Sequence, residues 1–352
     1  MRSGLRAIVA LGWLASSAAA QIFPYPQPVN PRQFALMAWG NSPSDPAQLQ
    51  FMKQAGFNVS GFCSVEDLEK VRAAGLTCIV VDPRANGYEF THVPPDAVLD
   101  RNAAELSRTI AGNPAALAFM LADEPKATML AGLGAVAGAL KRHMPSIWPY
   151  VTAFPYPAAS TISPMTYDDY LRAQVRQIGQ RYISYDHYAL YNNEIFDSFF
   201  TNLDIVRRIS LEMKVPFWNC ILANAHENYS EPTEASLSVQ AYSTLAYGGR
   251  GIEYFTYITP DTSNYRNAAI DRFGNRTPTW EMLRRVNGEI QGLVPLMLHL
   301  HSTGVYRYPT APGAGEPLAI SRLVASVAIA GFARAPAVPK LVIGEFIDDR
   351  NL

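Results

Sequence analysis

Ala118-Phe-Met-Leu-Ala-Asp-Glu-Pro125 is an apolar run that ends abruptly in two adjacent acids and a proline. Continuous apolar runs of this length belong to parallel strands covered on both faces, and proline stops them. The two carboxylates therefore fall at the carboxyl edge of a sheet, where barrel and open α/β folds do their chemistry. A helix cap would account for Asp123 but leaves Glu124 unexplained.

Outward from this stretch the same rhythm recurs: a short apolar run, a polar turn, an amphipathic segment. Such alternation implies a parallel sheet with covering helices. The strands are expected at Phe34 to Trp39, Asn58 to Phe62, Leu76 to Asp82, the opening stretch, Trp148 to Phe154, Tyr182 to Tyr188, Pro216 to Ala223 and Gly251 to Tyr257. Helix signals lie between them; Asp45 is placed to cap one helix and Gly56 to stop it. Eight strand–helix units over about 265 residues match a closed (β/α)8 TIM barrel. No G-x-G-x-x-G turn or P-loop supports a nucleotide-binding open sheet. Beyond His301 strand-like runs follow without helices: Gly304 to Tyr308, Leu318 to Phe332 and Lys340 to Phe346. They read as the start of a small antiparallel accessory region, cut short at the end of the chain.

The expected organisation is a signal peptide at 1–20, a Pro-rich lead at 21–32, the barrel at 33–301 and the accessory strands at 302–352. Arg2 and Arg6, then Ala7 to Ala15, then Ser16-Ser-Ala-Ala-Ala20 form the basic, apolar and small-residue regions of a secretory leader. No other apolar run reaches the ~20 residues of a membrane helix, so no membrane anchor is expected. With 49% hydrophobic and 17% charged residues in 352, the chain can bury a large core. A formal net charge of -1 gives nucleic acid no attraction, and a neutral substrate fits best. Cys63, Cys78 and Cys220 fit one bridge and one buried thiol, or three thiols. Asn58, Asn228 and Asn275 open glycosylation sequons, although Asn58 stands too close to a strand to be modified.

Closing the barrel brings the strand ends together: Trp39 and Asn41, Asp82, Asp123 with Glu124, then Tyr185, Asp186, His187 and Tyr188, then Trp218 and Asn219, then Glu253 and Tyr257. This inventory is acids and aromatics with little fixed positive charge, which disfavours phosphate. Aromatic faces and carboxylates suit a carbohydrate, and hydrolysis of a glycosidic bond needs a carboxylic acid plus a second carboxylate. Asp82 also suits a turn, His187 a satisfied structural histidine, and Glu253 an ion pair with a helix arginine. No G-x-S-x-G elbow is present. No cofactor or resident metal is expected, since Asp82, Asp123, Asp186 and His187 have no metal-site spacing; a metal-assisted hydrolase or lyase using those four is the remaining alternative.

Asp123-Glu124-Pro125, Leu245-Ala-Tyr-Gly-Gly-Arg-Gly-Ile-Glu-Tyr-Phe-Thr-Tyr257 and Pro278-Thr-Trp-Glu-Met-Leu-Arg-Arg-Val-Asn-Gly-Glu-Ile290 resemble the barrel glycoside hydrolases of clan A, particularly the β-galactosidase-like branch. The likeness spans Gln33 to His301. It implies Glu124 as acid/base and Asp123 as a sugar ligand. The family's nucleophile glutamate at the end of strand seven has no counterpart in Pro216-Phe-Trp-Asn-Cys-Ile-Leu-Ala223. Asp186 on strand six or Glu253 on strand eight could replace it, and a carboxylate two strands from Glu124 suits the wider separation of an inverting pair, ~6.5–9.5 Å. The expected pair is Glu124 as acid and Asp186 as base or nucleophile. A glycan-binding barrel without turnover is the alternative.

Overall fold

Eight short runs pair edge to edge in parallel and close on themselves. The computed structural model describes residues 30–162, 164–308 and 341–349, with the backbone of Ile8–Val9. The barrel strands are β1 (Ala35–Trp39), β2 (Val59–Cys63), β3 (Thr77–Val80), β4 (Ala116–Asp123), β5 (Trp148–Ala153), β6 (Ile183–Asp186), β7 (Phe217–Leu222) and β8 (Gly251–Phe255). Register between β8 and β1, from Gly251 opposite Ala35 to Phe255 opposite Trp39, seals the ring. Six of the eight strands are one to three residues shorter than the expected runs, which continue into the turns; β2 is shifted by one residue, and β4 begins two residues early, at Ala116.

Every strand is buried on both faces, which explains why the sequence shows apolar runs and not alternation. Outward residues such as Leu36, Val80, Phe119, Val151 and Ile221 pack against the helix shell. The barrel interior holds Met37, Ile79, Ala118, Tyr150, Tyr182 and Trp218. Trp218 stacks on Tyr182 with ring centres 4.0 Å apart and an angle of 13°. Gly251 makes this possible: a Cβ there would fall 2.4 Å from the Trp218 ring.

Local rules set the helix ends. Asp45 caps Pro46–Gln54 by accepting a hydrogen bond from Ala47 N, and Pro46 occupies the first turn. Thr233 and Ser236 exchange bonds in a capping box that starts Glu234–Ala246. Asn58 accepts from Leu36 N at 2.8 Å and donates to Phe34 O at 2.8 Å, locking β1 to the start of β2. A glycan there would break that lock, so this sequon is structural.

Two connections are longer. After β6 a hairpin, Leu190–Tyr191 with Glu194–Ile195, precedes helix Asp197–Met213. The loop after β8 folds back over the mouth, held by paired bonds between Ala225 and Arg266 of 3.0 and 2.9 Å. Outside the barrel, Leu300–Tyr308 pairs antiparallel with Leu341–Asp348, and Ile8–Val9 pairs with Gly344 and Glu345. The expected strand at Leu318 to Phe332 lies outside the described residues.

Cys63 and Cys78 form a disulfide between β2 and β3, and Cys220 is a buried free thiol. No helix among the described residues is long and apolar enough to cross a membrane.

Candidate active site

The two acids that end β4 both reach the barrel mouth because the strand is irregular. Met120 pairs with Tyr150 and Ala122 with Val151, so β4 carries one extra residue there. The bulge shifts parity and sets Asp123 beside inward-facing Thr152. Glu124 would then point outward, but its backbone adopts the left-handed conformation, φ 46°, and turns it back to the mouth. A non-glycine residue there costs about 1–3 kcal/mol and persists where the surroundings enforce it. Glu124 N donates to Thr152 O at 2.9 Å, and Tyr170 Oη to Pro125 O at 2.7 Å, pinning the turn on both sides.

Asp123, Glu124, Thr152 and Asp186 line one side of a pocket of about 190 Å³, with Trp39, Tyr188, His226, Phe255 and Tyr265 on the other. A larger hollow, about 360 Å³, lies between surface helices. Its Glu69 and Lys70 are engaged with Arg72 and Asp67, so it gathers no reactive groups.

The Glu124 and Asp186 carboxyl groups both line the pocket and lie close enough to perturb each other's titration. Asp186 Oδ1 is buried and makes no hydrogen bond within the protein. Burial, then the neighbouring charges of Glu124 and Asp123, hold Asp186 well above the ordinary carboxylate range. Burial and the Asp123 charge also raise Glu124, while Asp186 works the other way. Both carboxyls are therefore held above the ordinary range, and the two titrate as a unit. Asp123 keeps an exposed surface but sits in a concave mouth, where desolvation raises its carboxyl against a hydrogen bond from Thr152.

Opposite the acids the rings form a wall. Tyr188 stacks on Phe255 at 5.0 Å, and His226 on Tyr265 at 4.6 Å with an angle of 3°. Trp39 packs against Phe255 at 5.1 Å and donates from Nε1 to Tyr150 Oη at 3.1 Å. The rings continue away from the pocket: Tyr229 lies 4.7 Å from His226, Tyr191 lies 4.6 Å from Tyr229, and Phe196, 48% exposed, lies 5.5 Å from Tyr191.

Of the residues expected at the mouth, Trp39, Asp123, Glu124, Asp186 and Tyr188 come together. The others are placed elsewhere. Asp82 caps the short helix Pro83–Asn86 and pairs twice with Arg84 at 2.8 Å. Burial alone would raise Asp82, but the Arg84 bonds bring it below the ordinary range. Asn41 is exposed and pairs its backbone with Phe62. Tyr185 and Asn219 have outward parity; Tyr185 is in the outer core and Asn219 donates to Thr244 Oγ1 at 2.8 Å. His187 packs behind the barrel, 3.3 Å from Ser198 Oγ, and burial lowers it to about 4, so it is neutral. Trp218 lies deep in the interior, and Tyr257 is packed against Phe57 at 5.3 Å. Glu253 points inward but one pleat below the pocket, bonded to Ser184 and not to a helix arginine.

Thr152, His226, Phe255 and Tyr265 complete the lining and were not among the expected residues. Strand parity identifies Thr152 and Phe255, each two positions past an interior residue, Tyr150 and Glu253. Tyr265 depends on the folded-back loop, which carries no local signal. Asp82 and His187 do not join Asp123 and Asp186, and among the described residues no three His, Cys, Asp or Glu are set to hold a metal ion.

No family model matches the sequence, and no curated protein sequence matches it. Solved structures do. The β-galactosidase of the psychrophilic Marinomonas ef1 is similar with a TM-score of 0.60 and 10% identity, over 77% of this chain and 62% of that one. A GH5_18 protein from Streptomyces cattleya, solved in complex with GlcNAc, is similar at 0.54 and 12% identity, over 72% and 80%. A glycoside hydrolase family 5 mannosidase from Rhizomucor miehei is similar at 0.51 and 8% identity, over 71% and 88%. The chain spans 62% of the Marinomonas β-galactosidase and 58% of a second one, from Rahnella sp. R3. The chain therefore shares the (β/α)8 barrel fold of these structures.

Proposed function

We propose that this protein is an exported glycoside hydrolase that cleaves O-glycosidic bonds of an oligo- or polysaccharide, using Glu124 and Asp186. The observation that carries the reading is the pairing of Glu124 and Asp186, two mutually coupled carboxyls, in an aromatic-walled pocket at the carboxyl edge of the barrel. Sugar C–H faces stack on rings while the acids meet the hydroxyls and the scissile oxygen. The ring series from Tyr188 to exposed Phe196 supports a substrate longer than one sugar. The leader-like first twenty residues and the Cys63–Cys78 bridge support export, since disulfides persist in oxidising compartments.

Two carboxyl groups close enough to titrate together fit poorly the ~6.5–9.5 Å separation that inversion needs for its water. Retention needs ~5–5.5 Å, the spacing the coupling of Glu124 and Asp186 supports better. The coupled pair holds one proton, and Glu124 delivers it to the leaving oxygen. Asp186, now a carboxylate, attacks the anomeric carbon; Glu124 then takes a proton from the water that releases the sugar. Asp123, beside Glu124, binds a sugar hydroxyl.

The test is a screen of oligosaccharides and aryl glycosides with wild type, Glu124→Gln and Asp186→Asn. Loss of the acid should cost roughly 10²–10⁴-fold on sugar leaving groups and much less on activated aryl ones. Asp186→Asn should lose both. Turnover unchanged in Glu124→Gln would end the acid assignment. A second reading, a glycan-binding barrel without turnover, is favoured by the end of β7. Asn224 there is tied to Thr256 at 3.1 Å and His226 at 2.8 Å, and exposed Glu227 lies outside the lining. Binding of oligosaccharide with no turnover of any glycoside would select it.

A further inference from the structure

Glu253 sits in the barrel interior with 0% of its surface exposed, and the proposed cleavage does not use it. A buried carboxyl must be paired, hydrogen-bonded or neutral. Ser184 Oγ lies 3.1 and 3.0 Å from its two oxygens and 3.5 Å from Tyr150 Oη, and the Tyr150 hydroxyl faces the same carboxyl. The titratable groups that face it are Tyr150 on β5, Tyr182 on β6, Cys220 on β7 and Asp123 at the end of β4. From β1 its register partner is apolar Met37. None of these is a cation.

The hydroxyls continue outward from Glu253 to the pocket. Thr152 Oγ1 lies 3.2 Å from Tyr150 Oη, and Thr152 is the register partner of Asp123, beside which it lines the pocket. Each hydroxyl owns one proton, so the row Glu253–Tyr150–Thr152–Asp123 has two self-consistent arrangements. With Asp123 ionised, Thr152 donates to it, Tyr150 donates to Thr152, and a protonated Glu253 donates to Tyr150. With Glu253 ionised every bond reverses and Asp123 carries the proton. Trp39 Nε1 donates to Tyr150 Oη at 3.1 Å in both and holds the ring in place.

We propose that Tyr150 and Thr152 form a proton wire that couples a carboxyl sealed inside the barrel, Glu253, to Asp123 in the pocket. The transfer is balanced: Glu253 gives its proton to the Tyr150 oxygen, Tyr150 gives its own to Thr152, and Thr152 gives its own to Asp123. One proton moves net, and no other bond forms or breaks. Burial pushes Glu253 up to about 8, so at neutral pH the proton rests inside and Asp123 holds the charge beside Glu124. A ligand that covers Asp123 raises its proton affinity and draws the proton outward without solvent entering. The wire does not depend on which reaction the pocket carries out.

Infrared spectroscopy of the full chain tests this without a substrate, because a buried neutral carboxylic acid has a carbonyl band separate from those of carboxylates. At pH 7 the wild type should show such a band, absent from Glu253→Gln, and transfer to D₂O should shift it. Thr152→Val cuts the row while keeping the side-chain shape, leaving exchange to local opening of the barrel, slower by about tenfold or more. Tyr150→Phe should slow it likewise, and Thr152→Ser should restore the wild-type rate. Absence of a Glu253-dependent band at pH 7, or exchange at the wild-type rate in both Thr152→Val and Tyr150→Phe, would overturn the wire. Loss of the glycosidase reading would leave these rates unchanged, so the two can fail separately.

Discussion

At the scale of single residues the barrel contains acids held far from their solution behaviour. Glu253 rises from 4.5 to about 8, chiefly through burial. Its folded pKa is above the unfolded one, so the native state binds the extra proton. The resulting stability is fully present below pH 4.5 and is lost as pH climbs to about 8. At about 1.4 kcal/mol per unit, the span is several kcal/mol. Glu253→Gln keeps the shape and cannot ionise. Urea unfolding at pH 5, 7 and 9 should show a flatter stability profile for the variant and greater stability than wild type at pH 9. Parallel profiles for the two proteins would mean that Glu253 is already ionised in the fold. The same residues show what sequence alone can convey. The acids of 118–125 announce a sheet edge because no buried strand interior tolerates two carboxylates. Asp186 and Glu253 look equivalent in sequence, each inside an aromatic strand end, yet one lies in the pocket and the other one pleat below. That difference is set by barrel stagger, which no local pattern encodes.

At the scale of elements the eight strands were legible, since a run buried on both faces is apolar throughout. The bulge in β4 was not, because an extra residue is defined only against the partner strand, here β5. Parity was legible but had to be applied: Tyr185 and Asn219 face outward because Ser184 and Cys220 face inward. The hairpin after β6 falls between the expected strand ending at Tyr188 and the helix that follows, where no element is expected, and it is the element that extends the aromatic wall. Tyr191 joins the pocket rings through Tyr229, and Phe196 offers an exposed face beyond it. Removing that face in Phe196→Ala should weaken a long oligosaccharide by about 1 kcal/mol, close to fivefold, and leave a monosaccharide unaffected. Calorimetric titration on the Glu124→Gln background gives the comparison. Equal effects on short and long ligands would take the hairpin out of the binding surface.

At the scale of the whole molecule a single covalent link crosses the described fold. Cys63 ends β2 and Cys78 lies in β3, 15 residues later in sequence, so the bridge closes the loop that contains helix Leu68–Ala73. Both side chains are buried in the outer core, where they would pack as small hydrophobic groups even when reduced. The bridge therefore acts mainly on the unfolded chain, by denying it the conformations in which these residues separate. For a loop of this length that is worth about 3 kcal/mol. This is a large share of the roughly 5–15 kcal/mol by which domains are stable. Replacing both cysteines, Cys63→Ala with Cys78→Ala, avoids leaving an odd thiol beside Cys220. The double variant should unfold at lower urea, by about 3 kcal/mol, and its midpoint should not respond to reductant. The wild type should fall to the variant's midpoint when unfolded and refolded with reductant. If reductant leaves the wild-type midpoint where it was, the two thiols are not joined in the folded protein, and the support they lend to an oxidising compartment goes with them.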